Sequence, residues 1–390
     1  MIKLDLSKKK KIGLVCSGGA VKAAAFHCGV ALALEHAGFR FLGGRLEGAA
    51  ERGQVDASKL IQCYVGSSAG SLIATFLAQG GMLANLIASF QEEKSTQGIP
   101  GLRYSEMLKP RLKVRDWISI DNYLLSMLRN ASLQSPFTTH GIADYIRTHV
   151  LATERFQELE PELFVVATEL NQSKKVVFGK YKSAPQDPYL EYRSDVSVSD
   201  ACAASMSLPP LFHPYTIQID GQKRDFYDGE IREPLSNHIA RDIGCDLIIC
   251  SYTHQPLRLT GDNQTLADKG VHQVTLQAIY QSIEEKIRSA RGTRDREKAL
   301  LDIIRKFFIE KGLSNEMRDE LVAMVEERMT YKENVDYIYI HPKPSDLEMF
   351  MMPHFSLKRN HTEGIVKRGF SAGKFALKGF TEESKDRSAI

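Results

Sequence analysis

The chain predicts an α/β fold on three observations: apolar runs short enough for buried strands, glycine turns at their ends, and helical stretches directly after the turns. Lys11-Ile12-Gly13-Leu14-Val15-Cys16 reads as a first buried strand, and Ser17-Gly18-Gly19-Ala20-Val21-Lys22 turns it into a helix over Ala23–Glu35. Ile61-Gln62-Cys63-Tyr64-Val65 repeats the pattern, turning through Gly66-Ser67-Ser68-Ala69-Gly70 into the helix Ser71–Ala78. Further on, Ser199–Phe212 reads as a helix of small residues halted by Pro209-Pro210, and Arg224–Asp228 as a strand end meeting the Asp228-Gly229 turn. Leu247–Tyr252 and Val335–Pro342 read as strands, and Gly369–Leu377 as a closing helix that covers the last of them.

The second turn carries GxSxG. A serine on so tight a strand-to-helix turn has a strained backbone, and glycine neighbours let the turn form while leaving the hydroxyl exposed. Ser68 is therefore the candidate nucleophile, with the first amides of the following helix aimed where an oxyanion would develop. The first turn looks like an anion cradle, and phosphate binding is the other use of such a turn. It lacks the GxGxxG spacing of a dinucleotide fold. Lys22 is followed by Ala23 rather than by Ser or Thr, so it lacks the P-loop pattern as well. Taken alone, it is otherwise an ordinary tight turn, and Asp228-Gly229 alone an ordinary Asp-Gly turn.

The succession of glycine turn with a basic residue, GxSxG, small-residue helix ending in Pro, and Asp-Gly resembles the patatin-like phospholipases over about residues 10–255. The family's GGGx[KR]G is occupied by Gly18-Gly19-Ala20-Val21-Lys22-Ala23, where Ala20 and Ala23 depart from it. GxSxG is matched in full from Gly66 to Gly70, and DG[GA] at Asp228-Gly229, with Glu230 in place of the small third residue. Leu163–Leu170 looks like the central strand the family places between them.

The resemblance implies a three-layer α/β/α fold with a mainly parallel sheet, and a Ser68–Asp228 dyad that needs no histidine, metal or cofactor. A serine hydroxyl is a weak nucleophile until a base takes its proton, and a desolvated carboxylate with a raised pKa can do so. The oxyanion hole falls to the backbone amides of Gly18, Gly19, Ala20 and Ala69, with Gly66, Gly70, Gly229 and Lys22 supporting the motifs. Because the hole uses amides, Ala20 serves if its φ/ψ suit a residue with a Cβ. Lys22 either orients the turn, meets a phosphate headgroup, or is a solvated helix-face lysine. Of the eleven histidines, His254, just past the strand Leu247–Tyr252, is the alternative third member of a triad. His354 reads as surface or packing.

At 390 residues, 43% hydrophobic and 25% charged, the chain can bury a large core. Its net charge of +3, without basic runs interleaved with aromatics, argues against nucleic acid. The basic run Lys8–Lys11 precedes an apolar stretch cut by Ser17-Gly18-Gly19, which fits a strand rather than a signal peptide, and no window spans a bilayer. Cys16, Cys28, Cys63, Cys202, Cys245 and Cys250 lie in apolar segments without CxxC spacing and read as reduced core residues. These features place the protein in the cytoplasm, peripherally at membranes, or outside the cell by a route that reads no cleavable signal.

The organisation expected is a catalytic core over residues 8–260 with a helical cap at about 80–160, a helical insert or subdomain at 270–332, and a strand and helix at 333–380 completing the core. In the cap, Leu83-Leu86-Ile87-Phe90 and Trp117–Leu128 form apolar stripes, read as core or as a membrane-facing lid. Arg103, Lys109, Arg111, Lys113 and Arg115 make a basic edge able to meet anionic lipid. Met349–Pro353 is a concentrated apolar loop, suited to acyl chains, a bilayer or burial. The function expected is hydrolysis of carboxylic esters of phospholipids or lysophospholipids through an acyl-enzyme. Alternatives are a neutral-lipid lipase, thioesterase or acyltransferase on the same dyad, or a silent scaffold binding lipid or protein. Beyond the lipid substrate, the resemblance allows a protein activator.

Overall fold

A computed structural model describes residues 6–46, 57–90, 99–111, 135–181, 187–259 and 265–381. The Trp117–Leu128 stripe, Lys113 and Arg115 lie outside these residues. The strands are β1 (Ile12–Cys16), β2 (Arg40–Phe41), β3 (Leu60–Ser67), β4 (Lys109–Pro110), β5 (Phe137–Thr138), β6 (Glu162–Glu169), β7 (Lys175–Gly179), β8 (Leu190–Arg193), β9 (Tyr215–Ile219), β10 (Gln222–Asp228), β11 (Leu247–Ser251) and β12 (Asp336–Ile340). The helices are α1 (Ala20–His36), α2 (Ala69–Ala78), α3 (Leu83–Phe90), α4 (Tyr104–Met107), α5 (His140–His149), α6 (Val198–Ser205), α7 (His238–Asp242), α8 (Val271–Glu310), α9 (Asn315–Glu326), α10 (Leu347–Met351) and α11 (Arg359–Thr381).

The main sheet runs β12-β11-β1-β3-β6-β10-β9, with β2 beside β3, and β7 and β8 continuing from β6. From β12 to β6 every pairing is parallel, while β7 and β10 meet β6 antiparallel. Alternation along the strands sorts the core into two faces. Leu14, Val165 and Ile249 pack with α1, α2 and α11; Val15, Val166 and Ile248 pack with Ile239 of α7 and Ile287 of α8. The result is a three-layer α/β/α sandwich around a mostly parallel sheet.

Helix α1 lies at the centre of the first face, with 13 of its 17 residues buried. Its small residues let α11 cross at backbone contact: a Cβ on Gly29 would lie 2.0 Å from the Val366 carbonyl oxygen, and one on Gly369 would lie 2.2 Å from that of Phe26. The C-terminal helix thus packs along α1 and does more than cover β12. Residues 270–332 form the 40-residue α8 and the shorter α9, which fold together past the turn at Lys311-Gly312. Met349 and Phe350, expected in an apolar loop, lie instead in the helix α10, where both are buried. Among the described residues, no helix is long and apolar enough to cross a membrane.

Candidate active site

Strand β6 assembles the site. Its Val166 pairs with Ser67 at the end of β3, and its next residue, Ala167, pairs with Asp228 at the end of β10. Strand β7 pairs with both Val166 and Ala167, so β3 and β10 share the opposite edge and run toward each other until they abut. Ser68 and Asp228 are the residues at that meeting point.

Ser68 has φ 49° and ψ −129°, a strained backbone for a residue with a Cβ, costing on the order of 1–3 kcal/mol. The glycines on either side explain how the turn closes. A Cβ on Gly66 would come within 2.5 Å of the Ser71 Cα, and one on Gly70 within 2.2 Å of the Cys16 carbonyl oxygen. The Ser68 N–H donates to the Ser205 hydroxyl (2.8 Å), which itself donates to the Val166 carbonyl (2.6 Å). The Ser71 hydroxyl donates to the Ser68 carbonyl (2.6 Å).

Opposite the elbow, Gly19 has φ 128° and no room for a side chain, since a Cβ would sit 2.7 Å from the Thr253 Oγ1. Ala20 has φ 55°, so the alanine in the motif's third position occupies a conformation that glycine would adopt freely. Helices α1 and α2 begin at Ala20 and Ala69, so two helix N-termini converge beside the serine, a favourable place for negative charge. Beneath the turn, His27 Nε2 donates to the Ser17 carbonyl (2.8 Å) and its Nδ1 accepts from the Ser251 hydroxyl (2.7 Å). Burial pushes that imidazole down to about 4, leaving it a neutral brace.

Asp228 is buried and accepts the Glu230 N–H at 2.9 Å. Burial raises its carboxyl to about 6, against the opposing pull of the Ser68 hydroxyl and that N–H. Gly229 turns the chain under β6, where a Cβ would lie 2.3 Å from the Val166 carbonyl oxygen. Glu230, the residue departing from the motif, points into the site. Burial first, and the neighbouring Asp228 second, raise it to about 8. The Gly18 N–H, the Ser67 hydroxyl and the Leu235 N–H approach it and favour its charged form without closing a well-formed hydrogen bond.

A cavity of about 750 Å³ opens over Ser68 and Asp228, its floor including Gly19, Ala20, Ala69 and Glu230. Its walls are chiefly apolar, with Leu72, Ile142, Met206 and Phe212 among them and Leu276 and Ile283 contributed by α8. Gly18 is set back from the cavity, its Cα covered by the Glu230 side chain.

Lys22 is neither solvated nor turned to the cavity. It is buried, its Nζ donates to the Phe350 carbonyl (3.2 Å) and lies over the Tyr280 ring, and burial lowers its pKa to about 7. It braces α1 against α8 and α10 and does not meet a headgroup. His254 does reach the site, but its Nδ1 faces Glu230 at 4.0 Å, has no hydrogen-bond partner, and belongs to a ring that burial holds neutral. His354 is a packing residue on the cavity wall, bonded through Nε2 to the Tyr280 hydroxyl (2.7 Å).

Ser205 and His27 contribute without any motif of their own in the sequence, and Glu230 is visible there only as a departure from a motif. The small-residue helix before Pro209-Pro210 signalled close packing against the elbow.

A family model for patatin-like phospholipase matches residues 14–240, more than half of the chain. Among solved structures, the chain is similar to VipD from Legionella pneumophila, at 13% identity and a TM-score of 0.37, over 95% of this chain and 67% of that one.

Proposed function

The chain belongs to the patatin-like phospholipase family, a family of lipid acyl hydrolases, and from that premise we propose that Ser68 and Asp228 are a catalytic dyad cleaving carboxylic esters of phospholipids or lysophospholipids. One observation carries the reading. A strained, buried serine meets a buried carboxylate raised to about 6, at the floor of an apolar cavity and between two helix N-termini.

Asp228 accepts the Ser68 proton as Oγ bonds to the acyl carbon, and the carbonyl π pair moves to oxygen. The N–H groups of Gly19, Ala20 and Ala69 hold that oxyanion, each contributing about 3 kcal/mol to lowering the barrier in comparable sites. Asp228 then protonates the leaving alcohol, an acyl-enzyme remains, and water enters by the same steps in reverse roles. The apolar walls take the acyl chain. A neutral-lipid lipase, thioesterase or acyltransferase would share the dyad; headgroup competition and alcohol trapping separate them.

The test is fatty-acid release from mixed phospholipid and lysophospholipid vesicles, read by mass spectrometry. Wild type is expected to release acid, with Ser68→Ala and Asp228→Asn each reduced at least 1000-fold. Release that persists in Ser68→Ala would overturn the reading.

A further inference from the structure

We propose that Glu230 is a further catalytic residue, a neutral carboxylic acid that donates a hydrogen bond to the oxyanion formed at the acyl carbon. The inference rests on the serine-hydrolase reading and adds a donor to it. Its basis is geometric. The Glu230 and Ser68 side chains both close on Gly18, since a Cβ placed there would sit 2.8 Å from the Glu230 Cγ and 2.8 Å from the Ser68 Cβ, so only the bare glycine separates the carboxyl from the serine. Its backbone N–H is bonded to Asp228, so the two carboxyls are fixed on one tight turn. Its side chain is 9% exposed, faces the cavity, and carries two oxygens without a hydrogen-bond partner.

A buried carboxyl with no cation bonded to it is most stable with its proton on, and in that form it has one donor to give. The groups around it do not supply a compensating charge: the Gly18 and Leu235 N–H groups that approach it are neutral, and Lys286 of α8 lines the same cavity without bonding to it. Asp228 on its own turn is of like sign, and Ser67, from β3, is neutral. His254, on the loop after β11, is held neutral down to about 3. His27 of α1 is likewise neutral, as is His354 on the far wall. Tyr280 of α8 stacks edge-on against His254, and burial keeps its hydroxyl protonated. Lys22, beyond His254, is spent on the Phe350 carbonyl.

Two neighbouring carboxyls whose surroundings set their affinities apart divide the roles of base and acid between them. Asp228, at about 6, is the base; Glu230, at about 8, keeps its proton through neutral pH. In the addition step, Ser68 gives its proton to Asp228 while Glu230 shares its own with the oxyanion and retains it, so no extra proton is consumed. Loss of that proton removes the donor and places a second negative charge beside the developing one.

The experiment is kcat/KM against pH from 5 to 10 on p-nitrophenyl butyrate, whose leaving group needs no acid, with fluorophosphonate labelling of Ser68 as the check of fold and nucleophile. Wild type is expected to rise through about pH 6 and fall through about pH 8. Glu230→Gln keeps a donor, so it should retain activity within about 10-fold and lose the alkaline fall. Glu230→Ala should lose about 100-fold in kcat with little change in KM. Lys22→Met should keep the alkaline fall, which separates Glu230 from the buried ammonium. An unchanged alkaline fall in Glu230→Gln, or wild-type kcat in Glu230→Ala, overturns the assignment while leaving Ser68 labelling, and so the dyad, untouched. Failure of the dyad shows instead as ester hydrolysis surviving in Ser68→Ala.

Discussion

Asp228 reaches Ser68 because their strands end one residue apart along a single edge of β6: Ser67 pairs with Val166, and Asp228 with Ala167. A parallel and an antiparallel neighbour abut there, so the register of one strand places the proposed nucleophile and the proposed base together. Arg224 fixes the second of them at the other end of β10, bonding both carboxylate oxygens of Glu169 on β6 and those of Glu191 on β8. A one-residue slip of β10 would turn Asp228 to the other face of the sheet.

The Ser205 hydroxyl ties the Ser68 turn to β6 by accepting the Ser68 N–H and donating to the Val166 carbonyl. Ser205→Ala leaves a buried donor and a buried acceptor unpaired, at about 1–3 kcal/mol each. The expected outcome is a loss of about 2–4 kcal/mol in denaturant unfolding, with Ser68 labelling by a fluorophosphonate slowed at least 10-fold. Unchanged labelling would show that the elbow holds its shape without this bridge.

Ala20 occupies the left-handed region at φ 55°. A side chain there costs about 1–2 kcal/mol, and glycine gives back part of the gain through a more mobile unfolded chain. Ala20→Gly is therefore expected to stabilise the fold by about 0.5–1 kcal/mol in a denaturant titration. Ester hydrolysis should stay within about 3-fold, because in the proposed mechanism the amide, and not the Cβ, serves the oxyanion. A drop in stability would mean that the Ala20 methyl makes packing contacts worth more than the strain.

The sequence exposes those parts of the site made by local backbone geometry. Gly66, Ser68 and Gly70 are readable because a sharp strand-to-helix turn admits few other residues, and Asp228-Gly229 because a carboxylate at a strand end before glycine is a recurrent turn. The two-faced sheet is readable for the same reason: buried parallel strands leave continuous apolar runs. What depends on distant partners is not readable. Nothing local says that β3 and β10 meet head-on along β6, that Ser205 ties the Ser68 turn to β6, or that His27 props the first turn. Lys22 shows the limit most clearly. Its place in the motif marks it as basic, yet only the fold of α10, more than 300 residues away, makes it a buried brace for the Phe350 carbonyl.

Asp228 also makes stability depend on pH, in the direction opposite to a salt-bridged carboxylate. Its carboxyl is raised to about 6 in the folded protein from 3.8 when free. Between those values the folded state holds a proton that the unfolded chain has released, so the slope of stability with pH is negative there. The contribution is fully present below about pH 4 and is lost as pH rises through about 6, leaving a burial penalty on the order of 3 kcal/mol at neutral pH. Asn at this position fits the same space, still accepts the Glu230 N–H, and carries no charge to desolvate. Asp228→Asn is thus expected to be inactive yet more stable than wild type by about 2 kcal/mol at pH 7.5, with the difference shrinking toward zero at pH 4.5. Denaturant midpoints of the two proteins at both pH values check this. A wild type equally or more stable than Asp228→Asn at pH 7.5 would mean that Asp228 is better solvated, or better paired, than its burial implies, and its standing as the base would weaken with it.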